Sequence, residues 1–458
     1  MSKEPKQTQT QLLCGAAMEK ITPPAELLPD LFGLVLTSFD RIYDDLYVRV
    51  IALRSGGTAA LIVAFDLDKA PCPVEFLNAL TEETGVPEEN ILYFGIHAHA
   101  VPVISYRPFE GRNDVTKKPE HVQKAVHRYE AFVLEKLLAA SKQALSCLRP
   151  ARYAYGYGES RINVNRVCRY TRYENGSPAG FSIAQGWSNL GREADHTAFL
   201  GTFSDTEGKP IAFLVNYAMH NVAMFLNDAG QGHSAVSSDI GGNVSKRMEK
   251  TYPGSVCLWS SGAAGDINCL ITGTPEYPDP VTGERREYIR NGLEEAAQRM
   301  NMQADIHFQD IRRIQEAMDG GTGAVRLRGA IAYSETPYSE DAVTRRDYTC
   351  DPARKYRIRL HLLEIGDTAL IGADGELYSE LGQVIREASP AAHTVVINHE
   401  CSLLPDNPAY VFSDEVLELS EEAGECRLPG WNQFRGIPGA IAPSLAETTK
   451  NLFTQQQE

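Results

Sequence analysis

Runs of large apolar residues, each cut off by polar or ionisable side chains, recur along the chain. Ile91-Leu92-Tyr93-Phe94-Gly95-Ile96 stops at His97-Ala98-His99, Ile211 to Met219 stops at His220, and Thr58 to Phe65 stops at Asp66-Leu67-Asp68. Gly254 to Ser260 runs into the small-residue turn Ser261-Gly262-Ala263-Ala264-Gly265-Asp266-Ile267-Asn268. Thr368 to Ala373 turns through Asp374-Gly375-Glu376, and Thr394 to Ile397 ends at Asn398-His399. Unbroken apolar runs of this length are strands buried on both faces. Val48 to Leu53 and Thr58 to Phe65, separated by Ser55-Gly56-Gly57, predict a hairpin. Leu13 to Ala17 predicts a short strand that Pro23 and Pro24 stop.

Between these runs the apolar period changes to three and four. Val122, Val126, Tyr129, Val133, Leu137, Ala140 and Ala144 predict a long amphipathic helix over His121 to Cys147. Further helices are expected at Val74 to Thr84, after an Asp239 N-cap through Tyr252, at Asn291 to Arg312, and at Leu377 to Ala388. Residues 150 to 200 read as strands and long loops lying over a site. The expectation is an α/β protein with a flexible tail at residues 1–11 and a single domain over 12–458, since no internal repeat or low-complexity linker divides it.

Composition narrows the partners. A net charge of −16 with no block of Lys and Arg excludes a polyanion such as nucleic acid. No apolar stretch of about 18 residues predicts a membrane span. The polar start of the chain lacks the apolar run of a secretory signal. Nine dispersed cysteines without a C-x-x-C pair are expected to be reduced thiols in a cytoplasmic protein.

The candidate chemistry sits where the apolar runs end. His97 and His99, two residues apart, share one side of an extended backbone and form the start of a divalent-metal site. Asp66, His220, Asp266 and Glu376 occupy equivalent strand ends, where ligands gather in α/β sheets. Two histidines, a carboxylate and an open position for water make a catalytic zinc set. Strand capping is the competing explanation for each residue alone, but it does not favour histidine at two separate strand ends. His127 lies within the long helix and is expected at its surface. The turn Asp319-Gly320-Gly321-Thr322-Gly323 lacks the G-K-[ST] ending of a phosphate loop.

The order of Gly15-Ala16-Ala17 with Ile21-Thr22-Pro23-Pro24, Asp45-Leu46-Tyr47-Val48-Arg49, His97-Ala98-His99, Asn163-Val164-Asn165-Arg166, Asn216-Tyr217-Ala218-Met219-His220, Gly262 to Asn268 and Gly375-Glu376 resembles the neutral/alkaline, non-lysosomal ceramidases and their bacterial relatives. The resemblance implies layered mixed β-sheets flanked by helices, as in a ceramidase catalytic domain, and one Zn²⁺ held by His97, His220 and Glu376. It further implies His99, Asp266 and Asn268 as the catalytic residues, His99 supporting the metal ligands or contacting substrate, and Arg166, with Asn165, as substrate-binding residues.

The departures shift the expected substrate. Asn268 stands where ceramidases carry a serine, so a hydroxyl nucleophile is replaced by an amide that can only hydrogen-bond. The family's zinc-binding tyrosine falls on Leu403 or Leu404 and is expected to be missing, with His399, Glu400 or a second water in its place. The family pattern H-T-H-S-G-P is His97-Ala98-His99-Ala100-Val101-Pro102 here, and the chain is too short for the C-terminal immunoglobulin-like domain of secreted ceramidases. The expected activity is a cytoplasmic zinc-dependent hydrolase of an amide, ester or lactone in a small polar metabolite. Arg161, Arg166 and Arg169 favour an anionic group on that substrate. A metal-dependent lyase or isomerase, and a non-catalytic binding protein of the same fold, are the alternatives.

Overall fold

The computed structural model describes residues 10–34, 37–71, 74–104, 115–185, 188–272, 291–340, 355–399, 410–423, 425–428 and 435–455. Leu403, Leu404 and Glu400 lie outside them. Two sheets stack face to face between two layers of helices. The larger sheet runs in the order Val256–Ser261, Pro210–Tyr217, Thr197–Asp205, Arg149–Glu159, Thr10–Lys20, Tyr47–Ser55, Thr58–Phe65 and Ile91–Gly95, with Ala324–Val325 attached beside Thr10–Lys20. Its outermost pairs are parallel and the middle is antiparallel. The smaller sheet runs Leu327–Thr336, Tyr356–Ile365, Thr368–Ala373 and His393–Ile397, and its last pair is parallel.

Side-chain alternation explains the layering. Val48, Val50, Ala52, Leu61, Val63, Ile91 and Tyr93 join a core with helices Glu120–Ser146, Asp239–Thr251 and Leu293–Ala317. Their strand neighbours Ile51, Leu53, Ala60, Ile62, Leu92 and Phe94 meet Leu363, Ile365, Leu370, Val395 and Ile397 of the second sheet. The other face of that sheet, through Leu360, Leu362, Ile371 and Val396, packs on helices Ser379–Ala388, Asp414–Glu422 and Ile441–Thr454. A strand with both faces covered is apolar at nearly every position, with Arg49 a buried exception neutralised by Asp66 and Glu249, which is why these runs lack the polar-apolar alternation of a half-exposed strand.

The hairpin forms with Gly56 in the left-handed region at φ 59°, and Val74–Thr84 is helical over the expected span. Three local readings change. The first strand is Thr10–Lys20, beginning two residues inside the expected tail because Thr10 and Gln11 pair with Val325 and Ala324. Ser238, not Asp239, is the N-cap; Asp239 is the first helical residue, at φ 53°, and its carboxylate accepts from the backbone of Met224 and Ile240, both at 2.8 Å. Glu376–Leu377 forms a two-residue strand parallel to Tyr410–Val411 ahead of the helix, which starts at Ser379. No helix among the described residues is long and apolar enough to cross a membrane.

Candidate metal centre

The carboxyl ends of strands from both sheets meet at one place. Gly95 N donates to His399 O at 3.3 Å, His399 N to Gly375 O at 3.3 Å, and Asn398 N to Ser261 O at 2.9 Å. The Asn216 amide bonds Val396 O at 3.0 Å, and Asn221 bonds Ile96 O at 2.7 Å. These bonds bind the chain before His97, after His220 and before Glu376 to one another. Two glycines permit the approach. A Cβ on Gly95 would lie 2.5 Å from the Lys69 backbone, and one on Gly265 would lie 2.5 Å from Glu376 O.

The H-x-H histidines are not on the strand. It ends at Gly95, and His97 adopts φ 62°, so strand alternation does not set their direction. The turn itself brings the rings together, edge to face with centroids 4.5 Å apart and Nε2 atoms 3.1 Å apart. His97 Nδ1 faces the Asp68 backbone oxygen at 3.1 Å and the Asp68 carboxylate at 3.0 Å. His220 Nδ1 faces Ile267 O at 3.0 Å. Carbonyl and carboxylate oxygens only accept, so both Nδ1 atoms carry a proton, and in the neutral rings that a metal ion requires both Nε2 atoms present lone pairs. Oriented metal-binding histidines are held in the same way.

Those lone pairs converge with other donors. Glu376 Oε2 is 3.1 Å from His220 Nε2 and 3.6 Å from His97 Nε2. The donor atoms of His97, His99 and His220 all lie within 4.8 Å of one another. Tyr410 OH is 3.5 Å from His220 Nε2. Tyr410, seven and six residues beyond Leu403 and Leu404, reaches this place because the Tyr410–Val411 strand pairs in register with Glu376–Leu377. Burial drives the imidazoles of His220 and His399 well below their ordinary range, and burial with the neighbouring His97 lowers that of His99 to about 3. Neutral, buried imidazoles beside a carboxylate fit a divalent cation.

The remaining candidates divide. Arg166 reaches the centre: its Nη2 lies 2.8 Å from His220 Nε2 and donates to Gly265 O at 2.7 Å and Tyr410 OH at 3.1 Å, while Nη1 donates to Asn268 Oδ1 at 3.0 Å. Asp266 and Asn165 are engaged in the frame. The Asp266 carboxylate accepts from Ser379 N at 2.7 Å, Ser379 Oγ at 2.8 Å and Asn165 Nδ2 at 2.9 Å. Asn165 Oδ1 accepts from Val167 N at 2.9 Å. Asp66 clamps Arg49 at 2.8 Å, and Arg49 also pairs with Glu249. Arg161 is an exposed partner of Glu159, and Arg169 stacks on Phe181, so of the three arginines only Arg166 stands at the centre. His127 is at the helix surface beside Glu130. Asp68 follows the same strand as Asp66, and nothing in the sequence distinguishes the two carboxylates. A cavity of about 1080 Å³ holds none of these histidines; Arg161, Arg192, Asp195, Glu380, Arg386 and Glu415 are among its lining residues.

A layered α/β fold with a histidine and carboxylate cluster at the strand ends defines the class. Within it, the chain is similar to the crystal structure of neutral ceramidase from Pseudomonas aeruginosa, with TM-score 0.68 and 16% identity over 98% of this chain and 76% of that one. It is also similar to a ceramidase complexed with C2, with TM-score 0.66 and 15% identity over 97% of this chain and 76% of that one. The protein has a ceramidase-like fold. No protein-family model and no curated protein matches the sequence.

Proposed function

We propose that the protein is a zinc-dependent hydrolase that cleaves an amide bond, or an ester or lactone, in a small polar metabolite other than ceramide. One observation carries this reading: the Nε2 lone pairs of His97 and His220, each fixed by a proton held at Nδ1, meet Glu376 Oε2. These three side chains would hold the ion, with Tyr410 as a further oxygen donor. A zinc ion there supplies polarisation of a carbonyl and a lowered pKa for water.

The other residues orient and stabilise. Arg166 can only donate, so its bond to Asn268 fixes that amide with oxygen toward the guanidinium and leaves the N–H groups to meet a developing oxyanion. Asn268 cannot act as a nucleophile, so water attacks directly. Zinc measured in protein purified without chelator should approach one equivalent. With a panel of small amides in ¹⁸O-water, label should enter the product acid. Unlabelled product sinks the hydrolase reading in favour of a lyase or isomerase, and absence of zinc binding favours a binding protein. Asn268→Ala should lower kcat by about 10²–10³-fold with zinc content unchanged.

The proximity of three histidine donors supports a second ligand set, His97, His99 and His220. His99→Ala separates the two: retained zinc favours Glu376 as the third ligand, and lost zinc favours His99.

A further inference from the structure

His399 is the one histidine at this centre whose ring does no visible work. It is 2% exposed, and among the described residues neither Nδ1 nor Nε2 has a hydrogen-bond partner. Its backbone is held in the left-handed region at φ 63°, between Gly95 and Gly375. A buried imidazole with donor and acceptor both unmet is destabilising, and a non-glycine residue at positive φ adds to that. Buried polar groups left without partners mark a place where a ligand, ion or water belongs.

The ring geometry decides which. His399 stacks on His97 with centroids 3.8 Å apart and planes inclined by 12°. An imidazole lone pair lies in the plane of its ring. Lone pairs in two nearly parallel planes one stacking distance apart cannot converge on one ion at the roughly 2.0–2.1 Å of a zinc–nitrogen bond. His399 therefore addresses a point beside the ion that His97 would hold.

We propose that His399 is a substrate-contacting residue, whose ring nitrogens hydrogen-bond the amide or carboxyl group of the molecule held at this centre. The inference rests on the metal-centre reading above. It gives a purpose to the left-handed turn that follows the His393–Ile397 strand, which fixes the ring against His97.

The probes are zinc alone, titrated against a chromogenic chelator, and acetohydroxamate, a small amide-like chelator, titrated into zinc-loaded protein. His399→Phe keeps an aromatic face against His97 and removes both nitrogens; His399→Ala removes ring and nitrogens, and His399→Gln restores a donor and an acceptor. Zinc affinity should stay within threefold of the parent in the Phe variant. Acetohydroxamate affinity should fall tenfold or more in the Phe and Ala variants and recover at least in part in the Gln variant. A tenfold loss of zinc affinity in folded His399→Phe or His399→Gln would make His399 a ligand and overturn the proposal. Unchanged acetohydroxamate affinity in the Phe and Ala variants would overturn it as well. A parent protein that takes up no zinc would instead remove the metal-centre reading.

Discussion

Asp66 and Asp68 both follow the Thr58–Phe65 strand and both are buried, at 1% and 3% exposure, yet their carboxylates have different partners. Asp66 bonds Arg49 at 2.8 Å and the Tyr47 backbone N–H at 3.0 Å, and Arg49 carries the connection on to Glu249 at 2.7 Å. Asp68 lies 3.0 Å from His97 Nδ1 and 3.6 Å from His99 Nε2. A strand end is therefore a place where polar groups are allowed, not evidence that they act. What separates the two is the partner: a guanidinium locked into the core in one case, and in the other an imidazole whose far nitrogen remains available.

The largest effects test whether there is a centre for Asp68 to serve. His97→Ala and Glu376→Ala should each empty the site of zinc while leaving the thermal transition nearly in place, because neither side chain belongs to the apolar clusters between the layers. Zinc counts by mass spectrometry check this, and full occupancy in both variants would end the assignment. Asp66→Ala should do the reverse. Removing one partner of a buried pair leaves Arg49 half-compensated and should cost about 3–5 kcal/mol in denaturant unfolding, with zinc content unchanged. Asp68→Ala should weaken zinc binding by about 10–100-fold, the usual consequence of losing the group that orients a metal-binding histidine, with a smaller change in stability than Asp66→Ala. If Asp68→Ala unfolds the protein and Asp66→Ala strips the metal, the two roles have been exchanged.

The same contrast explains what could be read without coordinates. Strands buried on both faces announce themselves by unbroken apolar runs, so Ile91–Gly95, Pro210–Tyr217 and Thr368–Ala373 were legible, and with them the strand-end positions of His97, His220 and Glu376. Partner choice was not legible, because it depends on contacts across 17 residues for Arg49 with Asp66, and 101 for Asn165 with Asp266. Strand alternation does not give the direction of the H-x-H side chains, and nothing in the residue types signals the left-handed turn at His97. Tyr410 is illegible in the sequence for a related reason. Its place beside Glu376 comes from the pairing of two two-residue strands, too short to leave a periodic signal.

The smallest predicted effect concerns a third carboxyl near the frame. Glu380, on the helix whose first backbone N–H is held by Asp266, lies 2.5 Å from Arg192, which also reaches Glu415 at 2.7 Å. Burial, together with a hydrogen bond to Glu415, pushes the Glu380 carboxyl up to about 7 from an ordinary 4.5. A carboxyl whose folded-state pKa is raised binds more protons folded than unfolded. Its contribution to stability is thus fully present below about pH 4.5 and is lost as pH rises through 7. Glu380→Gln mimics the protonated acid, with an N–H for Glu415 and a carbonyl for Arg192. It should leave Tm unchanged at pH 5 and raise it slightly at pH 8, the shift being small because the side chain is 41% exposed and screened by solvent. Zinc content and hydroxamate binding should not move at either pH. A change in either would mean that Glu380 belongs with Asp68 and serves the centre, whereas a flat stability profile in the parent would mean that Arg192 keeps both carboxylates ionised.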